Sequence, residues 1–449
     1  MKIPKALAAA VVSAILFSGC TDLSFGEQTL LRPPRATGDK AEIQNIIKEQ
    51  ASGNYTLKYP QKGQYRSAVT LFETGGKNKE YAVALYSTES DSQMNISVIA
   101  HEADGWVSLG SFKNSGTGVD RVILNDINND GEEEILVGWS NYNSGMNSLS
   151  AYSFEDESVR EMKIDETYTD MIISDITGNK LNDIILLSLR NNQSPSGAKL
   201  LQYSEQEKKP IGKFALELDS EVTSFVNVAC GQIEKNSKGI IIDGEKSGGL
   251  LTTQVLYYDA ETQTIANPLL TENDAGVSSN VTTRKDVITC RDIDNDGIID
   301  IPVVSQMAAP TDTAADRVCS MISWRQIDTS DGSLHTKFNT VMNYTDGYYF
   351  IMPEKWNGNV TAISDAENRR IDFYIWDKVN SSLGIKLLTI CRFNSNEWNN
   401  INRDNYLLLK NSSNKGKDYI IAAQNYPSGT EKNLYLSRQE IEKAVKLIS

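Results

Sequence analysis

Two short stretches of this 449-residue chain concentrate hard oxygen donors. At 292 the sequence DIDNDGIID puts Asp292, Asp294, Asp296 and Asp300 at positions 1, 3, 5 and 9 of one loop, with Gly297 at position 6. At 126 the sequence DINNDGEEE repeats the frame with Asp126, Asn128, Asp130 and Glu134, and with Gly131 at position 6. Alternate side chains on a tightly turning loop converge on one point, and glycine at position 6 permits the positive φ that turns the chain back. Such donors suit Ca²⁺, and more weakly Mg²⁺ or Mn²⁺. Like charges this close repel unless a cation neutralises them. Both loops are therefore expected to hold calcium, with a backbone carbonyl and water completing the shell.

An EF-hand needs an acid at position 12 and an exiting helix. Position 12 is Val137 in one loop and Val303 in the other, and both loops run into apolar, strand-like sequence (ILVGW and IPVV). The frame thus reads as a calcium loop joining two strands. A partial copy starts at Asp175 and continues through Thr177, Asn179 and Asp183. Lys180 replaces its glycine and Asn179 its third acid, so that copy is not expected to bind a cation. A weaker copy near Gln232 has no ligand set.

The elements that must position these loops are short. From about residue 55 to 425 the chain alternates runs rich in Val, Ile, Leu, Tyr and Phe with Gly-, Asn-, Asp- and Ser-rich stretches, and no long helical period appears. Many short strands with regular turn signals predict an all-β fold. The acidic frame recurs at Asp126, Asp175, Gln232 and Asp292, and related segments start at Ala68, near 350 and at Leu407. Seven units of about 50–60 residues, each of about four strands, predict a β-propeller of seven blades. Short helices flank them. Asp39 and Glu42 are placed to cap one whose face is Ile43, Ile46 and Ile47; Ser437 and Glu440 form a capping box before Ile441, Ala444, Val445 and Ile448.

The N-terminus reads as a processing signal. MKIPK is basic, ALAAAVVSAILF is an apolar run too short to span a bilayer alone, and LFSGC follows. Ser18 and Gly19 before Cys20 resemble a bacterial lipobox, in which the cysteine becomes the lipidated first residue; Phe17 departs from the smaller residue usual there. The alternative is an ordinary secretory signal with Cys20 incidental. The expected layout is a lipoprotein signal peptide at 1–19, a lipidated tether and short helix at 20–54, and a β-propeller with a C-terminal helix at 55–449.

D-x-[DN]-x-D-G-x-x-[DE] before an apolar strand, repeated at this interval, resembles the FG-GAP/VCBS repeats of integrin-type β-propellers. With the lipobox, the chain is similar to bacterial VCBS repeat-containing lipoproteins. The resemblance implies a propeller at the extracytoplasmic face of the cell envelope, held to the membrane through lipidated Cys20. It also implies calcium that stiffens the blades away from whatever the protein binds.

Composition narrows the function. A net charge of −15 gives no basic footprint for nucleic acid. Only His101 and His335 are available for imidazole chemistry, and GxSxG, HExxH and P-loop patterns are absent. Cys230, Cys290, Cys319 and Cys391 form no CxxC pair; Cys230, Cys290 and Cys391 sit in or beside strand-like runs, and the four read as buried thiols, or as two disulfides. The six tryptophans and the YYF run at 348–350 read mainly as core, with a sugar or peptide platform as the other use. The reading favoured is a non-enzymatic binding protein for a protein or glycan partner. The alternative is a carbohydrate-active enzyme, a polysaccharide lyase or hydrolase, on the same scaffold.

Overall fold

The computed structural model describes residues 38–448, apart from 76–78, 90–92, 143–144, 156–157, 193, 273–277, 415–416 and 427–431. The expected signal peptide, Cys20 and the tether up to residue 37 lie outside the described residues. Among those described, no helix is long and apolar enough to cross a membrane.

The chain is all-β and of the β-propeller class. Among the described residues, six antiparallel sheets of four or five strands succeed one another along the sequence, mostly as meanders in which consecutive strands are neighbours. The count differs from the seven units expected. The segments near 350 and at Leu407 share one sheet, ordered Val360–Asp365, Arg370–Asp377, Ser382–Asn394, Lys417–Asn425 and Leu407–Asn414. The Leu407 repeat is only a hairpin, and it completes the edge of the preceding sheet instead of founding its own.

The chain divides into two compact units. One holds the described residues up to Arg121 together with Phe154–Arg160. Its sheet packs the N-terminal helix Asp39–Ala51 through Ile43 and Ile47, which are buried with Ala82, Tyr86 and Trp106. Asp39 is not the cap expected: Gly38 takes that place without a side-chain bond. Asp39 instead lies in the first turn, where its charge meets the positive end of the helix dipole.

The other unit, Val122–Ser153 with Glu161–Ser449, contains four whole sheets and most of a fifth, with apolar cores between successive sheets. The run DIILLS shows why its pattern is continuous. Ile184 and Leu186 pack with Ile127, Leu136 and Tyr168 on one side, while Ile185 and Leu187 pack with Ile240, Ile242 and Leu256 on the other. A strand buried on both faces has no polar alternation to show. Further along, Phe350, Trp356 and Phe373 form an aromatic cluster, with the Phe350 and Phe373 centroids 4.8 Å apart. The irregular stretch after residue 280 is pinned by a fully buried ion pair. Arg284 Nη2 donates to Asp243 Oδ1 at 2.9 Å, and the Cys290 N–H donates to Asp243 Oδ2 at 2.8 Å.

Ser437 and Glu440 form the capping box predicted, but the helix is only Arg438–Ala444. Val445–Leu447 leaves it to pair with Tyr348–Phe350. So short a helix is marginal by itself, whereas strand pairing satisfies backbone groups at a sheet edge. Cys230, Cys290, Cys319 and Cys391 are free thiols, the last three buried. Trp106, Trp139, Trp324, Trp356 and Trp398 are core residues, as are Tyr348, Tyr349 and Phe350.

Truncating the aromatic cluster tests this packing. Phe373→Ala should cost about 3–5 kcal/mol of unfolding free energy in a urea titration. Val379→Ala, at a site 91% exposed, should stay within about 0.5 kcal/mol of the parent.

Candidate metal centre

The loops at 126, 175 and 292 share one backbone design. Residues at positions 4 and 6 have positive φ in all three: Asn129 and Gly131 (60° and 89°), Gly178 and Lys180 (74° and 71°), Asn295 and Gly297 (62° and 86°). The aspartate at position 1 caps the turn. The N–H of position 6 donates to Asp126, Asp175 and Asp292 at 3.0, 2.9 and 2.9 Å. The other oxygen of each accepts an N–H from position 4 or 5. A short side chain bonding backbone a few residues ahead is what lets Asp set such turns.

The acid at position 9 faces inward. Glu134, Asp183 and Asp300 are 1%, 0% and 0% exposed. Each accepts the N–H of the isoleucine at position 2, from Ile127, Ile176 and Ile293 at 3.0, 2.9 and 3.2 Å. A second donor reaches it from the next strand of the same sheet: Ser153 at 3.3 Å, Gln202 at 2.6 Å and Gln326 at 3.0 Å. One carboxylate thus ties a loop, the strand that follows it and that strand's neighbour. Burial pushes the Glu134 carboxyl up to about 7 and Asp300 up to about 6, and neighbouring loop aspartates add to both shifts. Burial also raises Asp183, against four hydrogen bonds that favour its charged form.

The loops differ at their centres. In the second, single oxygens of Asp292, Asp294 and Asp300 lie within 4.8 Å of one another. Asp296 turns toward Gln326 Nε2, at 3.1 Å, and toward the Lys337 ammonium. In the first, Asn128 Nδ2 bridges Asp130 at 2.8 Å and Glu134 at 2.7 Å, while its Oδ1 accepts the Asp130 N–H. In the third, Thr177 and Gln202 bond Asp183 and each other, so the centre is filled by neutral donors. The Gln232 segment forms no such loop; it runs into a tight hairpin with Asn236 at φ 68°.

Loops also join neighbouring sheets. Asn182 Nδ2, in the third loop, donates to the Asp126 carbonyl at 2.9 Å. The Ile299 N–H, after the second, donates to the Gln232 carbonyl at 2.8 Å. Ser153, Gln202, Gln326 and Lys337 lie about 20–45 residues from the loops they serve, and loop spacing alone does not point to them. The Asp-Ile dipeptide heading all three loops is visible in sequence and marks position 2, buried at Ile127 and Ile176 and partly buried at Ile293. A separate exposed group, Asp328, Asp331 and His335, gathers on the hairpin after Ser320–Ile327.

No protein-family model and no curated protein matches this sequence. Among solved structures, Sqt1 of Saccharomyces cerevisiae is 8% identical over 80% of this chain and 95% of its own, with a TM-score of 0.30. An exo-beta-1,3-galactanase of Phanerochaete chrysosporium is 10% identical over 83% and 90%, with a TM-score of 0.28. Sqt1 of Chaetomium thermophilum is 9% identical over 71% and 78%, with a TM-score of 0.25. Likeness at this level carries no argument about activity.

Asp183 offers a test of the shared design. Because burial raises its carboxyl, its contribution to stability is complete below the ordinary aspartate range, about pH 4. That contribution is lost as pH rises through the raised folded value. The stability advantage of the parent over Asp183→Asn should therefore be larger at pH 4 than at pH 7 in urea titrations. An advantage that grows toward neutral pH would show that hydrogen bonding, not burial, governs this group.

Proposed function

We propose that the chain is a calcium-stabilised β-propeller, held by lipid on Cys20 at the extracytoplasmic face of a bacterial envelope, that binds a protein or glycan partner. The observation that carries the calcium reading is the convergence of Asp292, Asp294 and Asp300 oxygens within 4.8 Å of one another. Calcium–oxygen bonds of about 2.3–2.6 Å put oxygens on opposite sides of one ion about 5 Å apart. Every donor in the set is a hard oxygen, which favours calcium over softer metals. In the first loop Asp126, Asn128, Asp130 and Glu134 would hold the ion, with an amide oxygen in place of one carboxylate. Bound calcium supplies charge neutralisation and stiffness, and by binding only the folded chain it adds to folding stability.

Binding is favoured over catalysis by where the perturbed acids lie. Glu134 and Asp300 are buried, and their oxygens are engaged by backbone and side chains of their own sheet. Acids so committed serve the scaffold better than proton transfer to a substrate. The anchor is supported by the basic stretch, apolar run and LFSGC at the N-terminus.

Three measurements test the parts separately. EDTA should lower the melting temperature by a few degrees, since an ion at a hundredfold excess over its Kd adds about 2.7 kcal/mol. Asp292→Ala with Asp294→Ala should remove most of that response, and a parent melting curve indifferent to EDTA would overturn the calcium reading. Cys20→Ser should move the protein from the membrane to the soluble fraction; persistent anchoring would refute lipidation there. A glycan array and cross-linking at the cell surface should recover a ligand without turnover, whereas depolymerisation of a polysaccharide would overturn the binding reading.

A further inference from the structure

The second loop already contains a cation. Lys337 lies on the strand Leu334–Asn343, two strands from the loop's own, and its ammonium contacts Asp296 and stands 3.4 Å from Asp294 Oδ2. A β-bulge puts it there. Trp324 pairs with Phe338 and Arg325 with Thr336, so Lys337 is the extra residue between two regular pairs. A bulge re-aims the side chain it carries. The same one-residue slip occurs between Val98 and Ile99, Leu200 and Leu201, and Phe373 and Tyr374 against their partners. The bulge is therefore a recurring feature of these sheets, and the lysine is what this sheet places on it. In the first loop the corresponding bridge is the neutral Asn128 amide.

We infer that Lys337 is a tethered competitor of the divalent ion at the second loop. Its ammonium answers Asp294 and Asp296 when the ion is absent and withdraws to solvent when the ion binds. The side chain can do so, being 33% exposed on a flexible stem. The aspartates then never face one another without a positive charge, and the loop keeps its shape in both states. Lys337 also sets the ion's affinity, because a divalent ion must displace the ammonium from Asp294 and Asp296 before it binds. This inference rests on the calcium reading proposed above.

The test is calorimetric titration of the full chain with Ca²⁺, in an Asp126→Ala, Asp130→Ala background so that only the second loop reports. Lys337→Met should tighten binding by about tenfold or more, less at high salt, while Lys337→Arg should leave it near the parent. In EDTA, Lys337→Met should melt below the parent, and excess Ca²⁺ should close the gap. Equal affinity in parent and Lys337→Met would overturn the competitor and leave calcium standing. No binding in either would overturn calcium and the competitor with it. A lower melting temperature that Ca²⁺ does not restore would show a merely structural lysine and overturn the inference. Lys337→Gln, which keeps a polar stem, replaces Lys337→Met if that variant fails to fold, with the same outcomes.

Discussion

A buried carboxylate that accepts the N–H of an isoleucine seven residues earlier is the bond on which each loop depends. It recurs as Glu134 with Ile127, Asp183 with Ile176 and Asp300 with Ile293. Taking a carboxylate out of water is costly unless its oxygens are bonded, and here a donor from the neighbouring strand completes the set. The strand after the loop, the next strand and the turn are thereby fixed as one piece. Position 2 is held at the core, where Ile127 is fully buried.

The third loop shows the backbone design of the turn without the further acids of the other two. It keeps the positive φ at positions 4 and 6, the capping aspartate and the buried acid. Its position 6 is Lys180, for which φ near +71° is uncommon and costs on the order of 1 kcal/mol. Its centre is occupied by Thr177 and Gln202. The turn is therefore a structural joint in its own right. The loop at 292 keeps the same turn and carries further acids on it, Asp294 and Asp296.

Local order was legible in the sequence and long-range pairing was not. The acidic frame, the strand runs, the Ser437–Glu440 box and the buried tryptophans follow from spacing and composition within a few residues. DIILLS announced a strand buried on both faces because both of its side-chain rows are apolar. The sheet count was misread because GKNKEYAVAL and NKGKDYIIAA look alike locally, yet Lys417–Asn425 pairs with Ser382–Asn394 and founds no new sheet. The helix near the C-terminus was read too long because Val445 fits helical spacing, while its actual partner, Phe350, is distant in sequence. At the candidate centre the acids themselves are visible in the loop, and of the four expected at 292 the oxygens of Asp292, Asp294 and Asp300 gather while Asp296 turns away. Gln326 and Lys337 could not be read from it, because strand register and a bulge bring them there.

The fourth sheet meets the same requirement with different residues. Among the described residues it has no loop of the acidic frame, and the chain leaving it runs through the short pair Thr271–Glu272 and Ser278–Ser279 and an irregular stretch before the next large sheet begins at Ile301. Asp243, fully buried, accepts from Arg284, from the Thr253 hydroxyl at 2.6 Å and from the Cys290 N–H. A carboxylate inside the sheet again captures the backbone of the segment that must cross it, and a guanidinium supplies the neutralising charge. Arg284 is itself without exposed side-chain surface and bonds the carbonyls of Thr282 and Ile288. A guanidinium so enclosed has no exposed surface, whereas the Lys337 side chain is 33% exposed. Burial of the partner cation, more than the identity of the acid, distinguishes this enclosed joint from the one at Asp296.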